Sequence, residues 1–173
     1  MSEILGEADQ EVNALLYLSF SADTSYLCVG GSTGAMVVLD LATMEPCYIE
    51  EDFIQSEITY LHTVKAASEN SKHGQIMCIN SDQNMFIYDI RLSKGKMKLD
   101  KVSSKCLYLD EVIDLKFLQE DTNKALLCSN SESLKLLDLE KGEAELYTGH
   151  TDIILCLDTC EKQSLFLTGS KDN

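Results

Sequence analysis

The chain has 173 residues, enough for one ordinary core or for part of a larger one. Apolar residues make up 45% of it and the formal net charge is −15. It therefore reads as globular, and general nucleic-acid binding is disfavoured because such a surface repels phosphate at long range. No apolar run approaches the roughly eighteen residues a membrane helix needs, and the opening Met1-Ser2-Glu3-Ile4 carries no basic segment, so neither a membrane span nor a secretory signal is expected.

Taken in order, residues 1–10 read as a lead-in. Their apolar spacing is mixed, and no window gives a capped amphipathic helix. Unit one, 11–56, offers an apolar-rich strand over 12–18, a turn at Ser21-Ala22-Asp23 and a strand over 26–29. A Gly-rich bend follows, then a strand over 36–39 and an outer strand around Cys47-Tyr48-Ile49. Unit two, 57–109, repeats the order with 58–64, 76–79 and 85–88, and an outer strand near 106–108. Unit three, 110–148, has 112–117, 125–128, 134–137 and an outer strand near 145–147. Unit four, 149–173, stops where a third strand is expected. The runs are four to eight residues long and bounded by Gly, Ser, Asn and Asp, which predicts short β-strands.

The units differ in their insertions. Residues 65–74 lengthen a turn in unit two. Residues 91–105 carry Arg91, Lys94, Lys96, Lys98, Lys101 and Lys105 against the single acid Asp100, the one basic patch on an acidic chain. This stretch reads as a loop. It is a candidate contact for RNA phosphate or an acidic partner, weighed against a solvated segment whose lysines keep an edge strand from mispairing. The second reading is favoured.

Two spacings recur. Asp40, Asp89 and Asp138 are 49 residues apart, and Cys28, Cys78 and Cys128 are 50 apart. Repeats of this length with several strands each predict propeller blades. The seven cysteines are an odd number without a Cys-x-x-Cys pair, and most sit in apolar runs. They read as reduced core residues rather than as a disulfide framework or zinc site.

The last stretch carries the most specific pattern. Gly149-His150 precedes an apolar strand, a second strand ends at Leu165-Phe166-Leu167-Thr168, and Ser170-Lys171-Asp172 follows. A His in the leading loop can donate both to a Ser or Thr hydroxyl on the second strand and to an Asp carboxylate in the turn after it. His150, Thr168 and Asp172 are therefore a candidate structural clamp.

On these residues the chain resembles WD-repeat propeller proteins. The fold expected is all-β, a partial WD-repeat β-propeller of about three and a half blades. More narrowly, residues 110–118, 128–131 and 149–158 resemble the transducin-beta-like, snoRNA-associated family of the small-subunit processome. The resemblance is close over about 108–173 and looser over 11–107. It implies a non-enzymatic nucleolar scaffold in ribosome biogenesis. The implied partners are other WD-repeat proteins of a processome subcomplex, with pre-ribosomal RNA and snoRNA met indirectly. It implies no membrane and no cofactor. The chain departs from the pattern in lacking Trp, with Leu39, Tyr88 and Leu137 before the aspartates. Units one to three also place Gly34, Gln83 and Glu132 or Ser133 near the turn aspartate position.

Catalytic readings are weaker. His150 with Asp152 lacks a third metal ligand, and His62 and His73 have no nucleophile beside them. Gly30-Gly31-Ser32-Thr33-Gly34 lacks the Lys and helix of a phosphate loop. The alternatives to the scaffold are a WD-repeat adaptor in signalling or ubiquitin ligation, in the cytoplasm, and a propeller-type hydrolase. The hydrolase would need converging histidines and carboxylates that three scattered histidines do not supply.

Overall fold

The structure is a computed structural model describing residues 11–21, 24–64, 73–93, 96–107, 111–118, 123–160 and 165–172. The expected lead-in 1–10, most of the unit-two insertion, Ala22, Asp23, Lys94, Tyr108 and Asn173 lie outside the described residues. The described residues form fourteen strands in four antiparallel sheets, with no helix among them.

The chain divides into two compact units, Met1–Cys106 and Leu107–Asn173. In the first, β1 (Val12–Ser21), β2 (Thr24–Gly31), β3 (Met36–Asp40) and β4 (Glu45–Glu50) form one sheet in that order. β5 (Ile58–Val64), β6 (Gln75–Asn80), β7 (Asn84–Ser93) and β8 (Lys96–Cys106) form the next. In the second unit the sheets are β9 (Val112–Phe117), β10 (Lys124–Ser129), β11 (Leu134–Asp138) and β12 (Glu143–Tyr147), followed by the pair β13 (Ile154–Cys160) and β14 (Leu165–Ser170). This is the blade arrangement the sequence predicts. A simple meander needs only short turns, and each second strand, flanked on both sides, can be apolar throughout. β6 is buried at all six positions.

The first hairpin of every sheet has one register. Val12 pairs Gly31, Ile58 pairs Asn80, Val112 pairs Ser129 and Ile154 pairs Ser170. Each ladder then skips one residue of the first strand at the same place, a shared bulge. Just beyond, the N–H groups of Ser32, Ser81, Asn130 and Lys171 donate to the carbonyls of Glu11, Glu57, Glu111 and Ile153. This register corrects the cysteine repeat. Counted from it, Cys28 matches Met77 and Leu126, Cys78 matches Val29 and Leu127, and Cys128 matches Gly30 and Ile79. The three thiols occupy three different positions of equivalent strands. A strand buried on both faces accepts a small apolar side chain anywhere along it.

The aspartate repeat does keep register, with Asp40 opposite Tyr26, Asp89 opposite Gln75 and Asp138 opposite Lys124. Asp40 Oδ1 accepts the Ala42 N–H at 2.8 Å and Asp138 Oδ1 accepts the Glu140 N–H at 3.0 Å, so both carboxylates shape the turn that follows. Each turn closes on a residue with positive φ, Met44 at 59° and Gly142 at 73°. Asp138 also accepts the Lys141 N–H, and these backbone donors hold its carboxyl below the usual carboxylate range. Asp89 differs: its Oδ1 accepts from Gln75 Nε2 at 2.8 Å, and β7 runs on to Ser93 instead of turning.

That difference corrects a second expectation. Residues 91–105 are not a loop: the described part forms the end of β7 and most of the eleven-residue β8, paired from Ser93↔Lys96 to Asn84↔Cys106. The outer strand of this sheet therefore begins well before 106–108. Alternation explains it, since Ile90, Met97 and Leu99 turn into the core while Lys96 and Lys98 face solvent.

The core of the first unit joins Cys28, Met36 and Val38 to Ile58, Leu61, Ile76, Cys78 and Tyr88. Phe53, on the loop after β4, packs against Tyr88 in a tilted ring pair with centroids 4.4 Å apart. In the second unit Leu126, Cys128 and Leu134 pack on Ile154 and Leu157. Burial raises the thiols of Cys28 and Cys78 to about 12 and that of Cys128 to about 11. These three thus behave as small apolar residues. Cys106, Cys156 and Cys160 are exposed, so the expectation of core cysteines does not extend to them. They lie on an outer strand and on a two-stranded sheet, where less of the surface is covered.

Candidate functional site

Two groups of residues singled out from the sequence can be placed. The first lies at the end of β13–β14. The imidazole of His150 lies between two partners, with Nδ1 2.8 Å from Asp172 Oδ2 and Nε2 2.8 Å from Thr168 Oγ1. A carboxylate only accepts, so the Nδ1 proton is the one donated to Asp172. In the neutral ring Nε2 then accepts from the Thr168 hydroxyl, the reverse of a histidine donating to both. Asp172 Oδ2 also accepts the Thr151 N–H at 2.9 Å, and Ser170 Oγ donates to the Asp152 carbonyl at 2.9 Å. The Thr151 amide first, and the His150 ring after it, hold the Asp172 carboxyl below the usual carboxylate range.

The shared register also locates the equivalents of these residues. Asp172 lies two residues past Ser170, which corresponds to Thr33, Asp82 and Ser131, one residue earlier than Gly34, Gln83 and Glu132. The sheet of β5–β8 therefore has a turn aspartate that spacing alone assigned to Gln83. Asp82 accepts a hydrogen bond from Ser56 Oγ, and Ser56 corresponds to Asp152. Ile54, almost fully buried, stands at the position of His150, and Cys78 at that of Thr168. An apolar pair and a short Ser–Asp contact there take the place of the imidazole. Asn80, only 2% exposed, completes this turn by donating to the Gln55 carbonyl and accepting the Asn84 N–H, each at 2.9 Å.

The second group lies along β8. Arg91 on β7 stands directly opposite Lys98, and both reach Asp100, Arg91 Nε at 2.8 Å. The Lys98 ammonium foremost, then the Arg91 guanidinium, lower the Asp100 carboxyl. Lys101 Nζ lies 4.6 Å from the centre of the Phe86 ring. Lys96, Lys98, Lys101 and Lys105 are all exposed on this one strand. Lys94 lies outside the described residues.

The other histidines are ring-packed. His62 stacks near Tyr60 and His73 meets the Phe20 ring edge-on at 5.7 Å. Among the described residues no three His, Cys, Asp or Glu side chains are placed to hold a metal ion. Gly30 and Gly31 end β2, and Ser32 to Gly34 turn the chain toward β3.

Successive antiparallel four-stranded meanders with repeated bulges, and a His–Thr–Asp trio across the last hairpin, define blades of a WD-repeat β-propeller. Solved propellers share the fold. The β-propeller domain of Cps50 (Swd1) from Myceliophteria thermophila superposes with a TM-score of 0.69 at 13% identity, over 94% of this chain and 51% of that one. A chain of the mitotic checkpoint complex gives 0.64 at 16% identity, over 96% and 48%.

Among curated proteins the chain is similar to transducin beta-like protein 3. It is 28% identical to the rat protein over 149 residues, 85% of this chain and 17% of that protein. It is 34% identical to the bovine protein over 99 residues, 57% and 12%. It is also 29% identical over 112 residues to U3 small nucleolar RNA-associated protein 13 of Saccharomyces cerevisiae, 58% and 14%. These are homologues, and the chain spans only about an eighth to a sixth of their length. No family model matches the sequence.

Proposed function

We propose that the chain forms blades of a non-enzymatic WD-repeat scaffold in ribosome biogenesis, a nucleolar component of a small-subunit processome subcomplex needed for pre-rRNA processing. The observation that carries this reading is the homology to transducin beta-like protein 3 over 85% of the chain, together with a yeast relative whose name couples it to U3 small nucleolar RNA. Residues 11–56, 57–109, 110–148 and 149–173 are the blade units of this scaffold. Its partners are other WD-repeat proteins of the subcomplex. With a net charge of −15, it reaches pre-ribosomal RNA and snoRNA through those partners. Depleting the protein is expected to lower mature small-subunit rRNA and raise its precursors, measured by hybridisation. Unchanged small-subunit maturation after full depletion contradicts the proposal.

His150, Thr168 and Asp172 serve in this reading as a fastening within the last blade, not as catalytic groups. Replacing His150 with Ala is expected to cost about 1–3 kcal/mol, because it leaves a hydroxyl and a carboxylate without their partner. Amide exchange at Thr151 should speed up with it. Because the folded Asp172 carboxyl is depressed, its stabilisation is complete above the ordinary carboxylate pKa and is lost as pH falls through the lower folded value. The Thr151 amide should therefore lose protection only in that acid range.

A further inference from the structure

The three outer strands differ in sign. β4 carries Glu45 and Glu50 with Pro46, which has no N–H to offer, and β12 carries Glu143 and Glu145. β8 carries Lys96, Lys98, Lys101 and Lys105, and at eleven residues it is about twice as long as either. All three stand at the edge of their sheets. An edge strand has a row of outward backbone donors and acceptors able to take another strand, and charged side chains decide which strand is admitted. On β4 and β12 the side chains repel an acidic segment. On β8 they repel basic segments and attract acidic ones.

The local charge is poised for such a partner. Arg91 and Lys98 face each other across the ladder, an unfavourable like-charge pair bridged by the single carboxylate of Asp100. The whole stretch 91–105 has six cations and one acid in a chain of net charge −15. A second carboxylate arriving along the edge would complete the neutralisation.

We propose that β8 is a docking edge for an acidic protein segment, which adds to the β5–β8 sheet as a further strand and sets its carboxylates against Lys96, Lys98 and Lys105, which share one face of the strand. A peptide is favoured over RNA because a peptide gains backbone hydrogen bonds along the edge as well as charge. RNA would hold by charge alone, against the long-range repulsion of the remaining acidic surface. This goes beyond the scaffold reading and stands whether or not the scaffold acts on ribosomes.

The test uses the 173-residue chain and three labelled probes. One is a ten-residue peptide alternating Glu and Thr, the second has Pro in place of each Thr at the same charge, and the third is a uridine decanucleotide. In fluorescence anisotropy the Glu-Thr peptide is expected to bind at least ten-fold tighter than the Pro peptide and tighter than the RNA. Lys96→Gln with Lys98→Gln should weaken it several-fold, and the double reversal to Glu should abolish it. Both side chains are exposed, so unchanged melting verifies the fold, and if the reversal fails to fold the Gln variant decides. Equal binding of the two peptides, tighter binding of the RNA, or indifference to the Gln pair each overturns the proposal.

Discussion

Replacing Gly34 with Ala is expected to destabilise the first unit on the order of 3–5 kcal/mol, a large part of the stability of an ordinary domain. Gly34 has φ of +87°, a conformation that L side chains rarely adopt. A methyl group there would also lie 2.1 Å from the Ile54 carbonyl oxygen and 2.6 Å from that of Ser56. Both obstacles are backbone, so no rotamer change relieves them. Relief requires shifting the loop after β4, whose Ile54 N–H donates to the Gly34 carbonyl at 3.1 Å. That loop also carries Phe53, packed against Tyr88, and the buried Ile54. Gly142 is the control. Its φ is +73° but a methyl group there meets nothing within 4 Å, so Gly142→Ala should cost only about 1 kcal/mol. Denaturant unfolding of the two variants checks this, and equal losses would contradict the steric account.

The second large effect is expected at Asp114. It lies on β9, where Oδ1 accepts the Leu115 N–H at 2.8 Å and Oδ2 accepts the Leu157 N–H of β13 at 3.0 Å. One carboxylate thus ties two neighbouring sheets of the second unit. Leu157 is 4% exposed, so its amide has little recourse to water once the carboxylate is gone. Asp114→Ala should cost about 2–3 kcal/mol, the range for losing a charged acceptor to a buried donor. Asp114→Asn keeps a carbonyl acceptor and should lose less than half as much. Hydrogen exchange at Leu157 separates this cause from general loosening, since its protection should fall further than that of its neighbours on β13. Uniform loss along β13 would argue against it.

These two residues show what was legible in the sequence. The strands, their order and the blade architecture follow from apolar runs and turn residues, and the aspartates 49 residues apart keep true register. Gly34 was visible as part of a turn, but not its closeness to Ile54, which comes from chain twenty residues on. The bond from Asp114 to Leu157 spans 43 residues, and in sequence Asp114 is only the polar member of an alternating strand. The thiol spacing misled because a doubly covered strand imposes size and polarity but not position. In sequence the turn position falls near Gln83, one residue past Asp82, because the shared bulge and turn are backbone features with little residue preference. The basic stretch 91–105 read as a loop because its charge outweighed the alternation of Ile90, Met97 and Leu99 beneath it. His150, Thr168 and Asp172, which are hydrogen-bonded to one another, can be grouped from sequence because three polar side chains at fixed offsets have few other ways to be satisfied.

The scaffold reading is tested most directly by purifying the tagged protein from cell extract and sequencing the RNA and proteins that accompany it. The account predicts enrichment of U3 small nucleolar RNA and other WD-repeat proteins, with the proteins retained and the RNA lost after nuclease treatment. Absence of small nucleolar RNA above the untagged control, with a different set of protein partners, would contradict it.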